Sequence, residues 1–344
     1  MSQLVLCRRG CVGAKLHDAK AKLGLPRGGR RPTLMVRAGV EELIKPLTSL
    51  GKVADLKSGI ATFYDESSEL WENMWGEHMH HGYYPKGAPP KSNQQAQVDM
   101  IEETLKVAGV TEVRSVGVRA MVDVGCGIGG SSRYLSRRFG CRSAGITLSP
   151  KQAARANAIS QAEGFGDKLH FQVGDALAQP FESGSFDLVW SMESGEHMPD
   201  KKQFVSELAR VCAPGGSVIV VTWCHRVLAP GEAALRPDEA ALLDRICEAY
   251  YLPAWCSVED YSKLFEAQGL TDIQTRDWSE EVSPFWGAVI STALTGEGLA
   301  GLLRAGWTTI KGALVMPLMA EGFRRGLIKF NVITARKPAA TATP

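Results

Sequence analysis

The fold is decided by the stretch Val122-Asp123-Val124-Gly125-Cys126-Gly127-Ile128-Gly129-Gly130. Ala120 to Val124 reads as a strand running into it, and Ser131 to Phe139 as the helix that leaves it. Glycine has no Cβ, so a strand-to-helix turn of this composition can bend sharply and bring bare backbone against a nucleotide-like ligand. Gly125, Gly127 and Gly130 also fit the G-x-G-x-x-G spacing of dinucleotide loops. By itself, then, the loop does not say which adenosine-bearing cofactor it serves.

On either side the pattern alternates. Ser143 to Leu148 reads as a strand, and Ser149-Pro150 opens a helix with a capping serine and a proline at its first position. Leu169 to Val173 and Phe186 to Met192 read as further strands. Asp200 can cap a helix whose apolar face is Phe204, Val205, Leu208 and Val211, with Gly215-Gly216 expected to stop it before a β-prone run from Ser217 to Trp223. Such alternation predicts a Rossmann-like α/β fold, a mostly parallel twisted sheet with helices on both faces. A helix from Gln95 toward Ala108 precedes it, behind a polar stretch from Lys86 to Asn93. Beyond Pro230, Ser257-x-x-Asp260 forms a capping box and Gly269 ends that helix. Leu299, Leu302, Leu303, Trp307 and Ile310 make an amphipathic stripe, and Lys329 to Ala335 a last strand.

Three features separate the cofactors. Asp123 sits two residues before the first glycine. The second strand ends in Thr147-Leu148-Ser149, where a nicotinamide enzyme presents an acid to the ribose. Gly174-Asp175-Ala176 follows the third strand, and Ala213-Pro214-Gly215-Gly216 precedes the fifth. In that order the set resembles the class I S-adenosylmethionine-dependent methyltransferases over roughly residues 95–225. The resemblance implies that the loop from Val124 through Gly125, Cys126, Gly127, Ile128, Gly129 and Gly130 approaches the methionine portion of S-adenosyl-L-methionine. It implies that Asp175 accepts from the adenine amino group beside Gly174 and Ala176, and it sets Thr147, Leu148 and Ser191 with the cofactor as well. The usual ribose-binding acid is missing. Gly145-Ile146-Thr147-Leu148-Ser149-Pro150-Lys151-Gln152 resembles instead a subgroup shared with sterol and lipid C-methyltransferases, and Gln152 is the candidate replacement. An exposed helix residue is the competing reading of Gln152.

Asp187 reads as a structural residue at the head of the fourth strand. Trp190 to Met198 leaves that strand at its carboxyl end, where open α/β sheets bind ligands. Its Glu196-His197 resembles the Glu-His pair of cyclopropane synthases, which makes Glu196 and His197 the candidate catalytic pair; the alternative is that they only fix the loop. His78, His80 and His81 lack the cysteine or carboxylate spacing of a zinc site, and methyl transfer from a sulfonium needs no metal, so no metal is expected. A lid is the better reading, with Tyr64, Trp75, His81, Tyr83 and Tyr84 over cofactor and acceptor, although Trp71 and Trp75 are also spaced for plain helix packing.

The run Tyr64-Asp65-Glu66-Ser67-Ser68-x-x-Trp71-Glu72-x-x-Trp75-Gly76-Glu77-His78-Met79-His80-His81-Gly82-Tyr83-Tyr84, with Gly145–Pro150 and Trp190–Met198, resembles the plant and algal γ-tocopherol methyltransferases. This narrower resemblance spans about residues 60–335. It implies methylation of the chromanol ring of γ- and δ-tocopherol, giving α- and β-tocopherol. A base near the acceptor would then take the phenolic proton. A phytyl tail needs apolar surface, for which Phe285 to Leu327 offers Trp286, Leu299, Leu303, Trp307, Met316 and Met319. A methyltransferase acting on another prenyl quinol, a sterol or an alkaloid would keep the same cofactor motifs. A nicotinamide-dependent oxidoreductase is disfavoured by Thr147-Leu148 and Gly174-Asp175-Ala176, and a lipid-binding module by the intact glycine loop.

Composition agrees. The 344 residues are 44% hydrophobic and 22% charged, ordinary for a globular chain with a sizeable core. Residues 1–39 hold nine basic residues against the single acid Asp18, leaving the remainder with six more acids than bases. That mildly acidic body argues against nucleic-acid binding. The basic leader, with Pro26, Gly28-Gly29 and Pro32, reads as a chloroplast transit peptide ending near residue 38. The expected organisation is a leader to 38, a lid segment 39–94, a cofactor-binding core 95–225, a substrate cover with terminal strands 226–338 and a tail 339–344. Eight scattered cysteines fit reduced thiols. No apolar run reaches the length of about 18 residues that spans a bilayer, so the mature protein is expected to be soluble or peripherally attached to a membrane, with no obligate protein partner.

Overall fold

The computed structural model describes residues 72, 76–111, 117–285 and 316–340. The leader, Tyr64, Trp71, Trp75, Trp286 and the stripe 299–310 lie outside the described residues.

A single seven-stranded sheet organises the chain, in the order β3-β2-β1-β4-β5-β7-β6. Its strands are β1 (Ala120–Val124), β2 (Arg142–Thr147), β3 (Leu169–Val173), β4 (Phe186–Met192), β5 (Cys212–His225), β6 (Thr271–Asp277) and β7 (Ile328–Arg336). The first five are parallel, with Val122 beside Ala144 on one side and Val189 on the other. β7 runs antiparallel between β5 and β6. Helices α1 (Asn93–Val107), α2 (Gly130–Phe139), α3 (Pro150–Ala162), α4 (Lys201–Val211), α5 (Pro237–Ala249) and α6 (Val258–Ala267) complete the described regular structure, with helical residues at 279–285 and 316–324. The central strands are apolar at nearly every position because helices cover both faces. Val122, Val189, Val218 and Val220 are fully buried and pack with Phe204, Val205 and Leu208 of α4.

The local signals act as their chemistry dictates. Ser149 Oγ accepts from Gln152 N at the start of α3, and Asp200 from Gln203 N at the start of α4. Asp187 accepts the main-chain N–H groups of Arg119 and Ala120 at 2.8 and 3.1 Å, tying the head of β1 to β4.

Two expectations need correction. Gly215-Gly216 does not stop α4. The helix ends at Val211, Cys212 is already extended, and β5 begins there. Lys337, from the far end of the chain, ends the helix instead, its ammonium donating to the carbonyls of Ala209 and Cys212 at 2.8 Å each. The glycines lie where the register of β5 on β4 slips, from Phe186–Cys212 to Leu188–Ser217, and Gly215 has φ +79°. The second correction is β6, absent from the sequence reading together with α5. β6 is an edge strand, Thr-Asp-Ile-Gln-Thr-Arg-Asp, mostly exposed, and so lacks the apolar alternation that marks a strand. Among the described residues no helix is long and apolar enough to cross a membrane.

Candidate active site

The chain order of the sheet reverses between β1 and β4, and a crevice opens at their carboxyl ends. It encloses about 800 Å³, counting the solvent at its mouth. The glycine loop forms its floor. Gly125, Gly127 and Gly129 have φ of +86°, +52° and +80°. The N–H groups of Gly125 and Cys126 both donate to Ile146 O, at 2.9 and 3.0 Å, which ties the loop to β2. A Cβ on Gly125 would lie 2.3 Å from Ser194 Cβ, and one on Gly130 2.2 Å from the carbonyl oxygen of Glu77. Only bare backbone fits this cradle. Gly129, the cap residue of α2, has no side chain to cap it, and the Ser132 N–H in the first turn is met by the Asp123 carboxylate. The loop fits the amino-acid end of an adenosyl cofactor.

Asp123 lines the crevice and is 2% exposed, with Ser132 Oγ donating to it at 2.7 Å. Burial pushes its carboxyl up to about 6. Thr147, Leu148 and Gln152 also line the crevice. Gln152 is buried, which removes the reading of it as an exposed helix residue. Its amide nitrogen lies 3.7 Å from Met79 Sδ. Val124, Ile128 and Ala176 are buried core residues beside the crevice, and Ser191 is fully buried, linked through Ser194 Oγ to Val124 O by hydrogen bonds of 2.6 and 2.7 Å. Asp175 follows Gly174 at the end of β3, its Oδ1 accepting from Leu177 N at 3.0 Å in a turn.

Glu196 and His197, expected as a pair, are divided. The 3₁₀ turn Gly195–His197 carries both, but only His197 reaches the crevice wall. Glu196 turns back onto the sheet, where Thr222 Oγ1 donates to Oε2 at 2.7 Å. Its burial, with the charge of Glu193 added, pushes its carboxyl up to about 8. Burial brings His197 down to about 4, so its ring is neutral near pH 7. Lys201 fixes the turn by donating to the carbonyls of Gly195 and Met198 at 2.8 and 2.7 Å. The bond from Thr222 ties the turn to β5.

Residues 76–85 cross the mouth of the crevice. Gln97 of α1 clamps them, its amide nitrogen donating to the carbonyls of His78 and His80 at 2.7 and 2.8 Å. Tyr83 N donates to Ala96 O and Tyr84 N to Glu281 O. Arg133, fully buried, donates from Nε and Nη2 to Glu77 Oε2 at 3.1 and 2.9 Å and from Nη1 to Ile128 O. Tyr83 packs against Trp278 with ring centres 4.9 Å apart, and Tyr84 Oη donates to Asn93 Oδ1, so both tyrosines brace the segment instead of lining the crevice.

Sequence reasoning missed several wall residues. Glu193, Ser194, Met79, His80 and Glu77 all line the crevice. Glu193 stood inside the quoted Trp190–Met198 segment; the resemblance of its neighbours drew attention to Glu196. The structural signal is its backbone, with φ +52° in the left-handed region. Its carboxylate is also grasped from the lid. His81 N donates to Oε1 at 2.6 Å and His81 Nδ1 lies 2.5 Å from Oε2. Burial alone would raise the Glu193 carboxyl, but the neighbouring imidazole and backbone N–H of His81 hold it below its ordinary value.

Comparisons with known proteins bear on this geometry. The family model described as "Methyltransferase domain" matches residues 122–220. The chain is 62% identical over 288 residues to a probable tocopherol O-methyltransferase, chloroplastic, from Oryza sativa subsp. japonica, covering 83% of this chain and 80% of that protein. It is 58% identical over 288 residues to the tocopherol O-methyltransferase, chloroplastic, of Arabidopsis thaliana, covering 82% and 83%. Among solved structures, the geranyl diphosphate C-methyltransferase of Streptomyces coelicolor A3(2), in complex with Mg2+, geranyl diphosphate and S-adenosyl-L-homocysteine, matches with a TM-score of 0.65. Sequence identity is 21%, over 83% of this chain and 99% of that one, and the likeness is one of fold.

Proposed function

Because the chain belongs to the tocopherol methyltransferase family of S-adenosylmethionine-dependent enzymes, we propose that it methylates the chromanol ring of γ- and δ-tocopherol to give α- and β-tocopherol. The observation that carries this reading is the 62% identity over 288 residues, a span that includes every described wall of the crevice. S-adenosyl-L-methionine supplies a methyl group already activated for in-line displacement. The chain's own residues bind it, orient the acceptor, exclude water and manage a proton.

We assign the cofactor's amino-acid end to the cradle of Gly125 to Gly130 with Asp123, and its ribose to the wall of Thr147, Leu148 and Gln152. Asp175 and Ala176 we assign to the adenine side, Ser191 to support of the loop beneath, His197 to the acceptor wall and Glu196 to holding the turn. Tyr64 and Trp75 complete the lid in this reading, with His81, Tyr83 and Tyr84. A phenolate is nucleophilic at oxygen and at its ortho carbon alike, and the relatives' names speak of O-methylation. The ring carbon is preferred here because the resemblance in residues 64–84 is to enzymes that form a more methylated chromanol. The reading extends to place: residues 1–38 carry the chain into chloroplasts, where a phytyl-tailed acceptor brings it to the membrane surface.

Labelled S-adenosylmethionine offered with γ- and δ-tocopherol, methylphytylbenzoquinol and sterols tests the acceptor. Label should enter the two tocopherols, and proton NMR of the product should show a lost ring proton with the hydroxyl retained. Label on a sterol alone, or a methyl ether, would overturn it.

A further inference from the structure

We propose that His81 and Glu193 are the proton-accepting pair of the reaction, with His81 Nε2 taking the phenolic proton while Glu193 holds the imidazole in place; the inference rests on the chromanol reading above.

The pair joins residues 112 positions apart in the sequence. Both oxygens of Glu193 are committed to residue 81, one to its backbone N–H at 2.6 Å and one to its ring at 2.5 Å. An ionised carboxylate only accepts, so the hydrogen of that short contact sits on Nδ1. The tautomer is thereby fixed, and Nε2 is the basic nitrogen. A carboxylate on Nδ1–H also stabilises the imidazolium that forms when Nε2 takes a proton, as in other carboxylate–histidine pairs. His80 steadies the same point, its Nδ1 donating to His81 O at 2.9 Å.

The pair stands at a boundary. Glu193 lines the cofactor crevice. The ring of His81 packs against Phe285, Trp223 and Phe330, with ring centres 4.1, 5.0 and 6.0 Å away. The three rings are themselves buried and give the imidazole an apolar, water-poor surrounding. The backbone adds an independent sign. Glu193 is one of three non-glycine residues with positive φ among those described, a strained conformation typically kept where function requires it. A hydrogen bond of 2.7 Å from Glu193 N to Val221 O holds it there. Glu196, the other carboxyl of the segment, is turned to Thr222 and stands off the crevice.

The step balances as follows. The phenol O–H bond breaks and its proton goes to His81 Nε2. The ring carbon ortho to oxygen bonds the methyl group as the methyl–sulfur bond breaks and its electron pair stays on sulfur, leaving a neutral dienone. The hydrogen on that carbon then leaves to water as a proton, its bonding pair restores the aromatic ring, and the oxygen recovers its proton from the imidazolium. One proton is released overall and His81 is regenerated.

The test uses the full chain and a short-tailed 6-hydroxychroman with a free ortho carbon. In the S-adenosylhomocysteine complex, near-ultraviolet difference spectra distinguish bound phenol from phenolate without any turnover. Wild type should ionise the bound phenol at a lower pH than Glu193→Gln or His81→Asn does, with cofactor affinity changed by less than about threefold. Nitrogen-15 NMR of wild type should show His81 protonated at Nδ1, a readout that needs no variant to fold. With S-adenosylmethionine, each variant should lose about 10²–10³-fold in kcat with KM nearly unchanged, the double variant should be no worse than either, and imidazole should restore part of the activity of His81→Gly. An Nε2-protonated tautomer, unshifted phenol ionisation in both variants, or variant turnover within a few-fold of wild type would overturn the pair while leaving the acceptor reading intact. A wild-type enzyme that neither binds nor methylates the hydroxychroman would overturn both.

Discussion

Thr147 Oγ1 donates to Gln152 Oε1 across 2.8 Å, and both side chains are more than nine-tenths buried. The bond turns the Gln152 amide so that its nitrogen lies on the Met79 side of the crevice, where a ribose hydroxyl can be met by a donor in place of the missing acid. Gln152→Leu should therefore weaken S-adenosylhomocysteine binding about tenfold, or ~1.4 kcal/mol, by leaving buried polar groups unpaired. Titration calorimetry checks this. An unchanged Kd would reduce Gln152 to a packing residue.

Gly125→Ala meets two obstacles together, a φ of +86° and a Cβ 2.3 Å from Ser194 Cβ. Ser194 cannot yield freely because its hydroxyl is bonded to Val124 O. The variant should lose measurable cofactor binding and fall in melting temperature. Gly125→Ala/Ser194→Gly relieves the contact but not the backbone strain and should recover binding only in part. Complete recovery would mean that the steric contact was the whole effect.

Asp187→Ala separates structure from site. It leaves the N–H groups of Arg119 and Ala120 without their acceptor, a cost of about 1–3 kcal/mol. Chemical unfolding should show that loss, while S-adenosylhomocysteine affinity should stay within about twofold of wild type for the variant that is folded. A large drop in affinity would give Asp187 a part in the site.

Glu196 links stability to pH. Burial and the Glu193 charge raise its carboxyl from 4.5 to about 8, so between those values the folded chain binds the proton more tightly than the unfolded chain. The stability contributed by that proton is fully present below about pH 4.5 and is lost as pH rises through about 8. Glu196→Gln keeps an acceptor for Thr222 and removes the titration. Its melting temperature relative to wild type should climb from about pH 5 to about pH 8 and then level off, and a difference independent of pH would contradict the assignment.

Much of this protein was legible in its sequence because the deciding signals are local. Val122 to Gly130 fixed a strand, a turn that only glycine permits and a helix, since those constraints act within a few residues of each other. Ser149 and Asp200 announced helix starts through bonds to N–H groups three residues on. The exposed edge strand β6 carried no apolar pattern to read, and the end of α4 is set by Lys337, 125 residues beyond Cys212. The site divides along the same line. The sequence determined by itself the α/β sheet, the cofactor loop and the carboxyl-rich segment after β4. Only the tertiary structure decided which carboxyl faces what, because Glu193 and Glu196 are three residues apart on one turn, and their environments come from His81 in the lid and Thr222 on the neighbouring strand. Hydrogen bonding and burial push the carboxyls of those two like groups in opposite directions, and neither influence is encoded in residues adjacent to them in the chain.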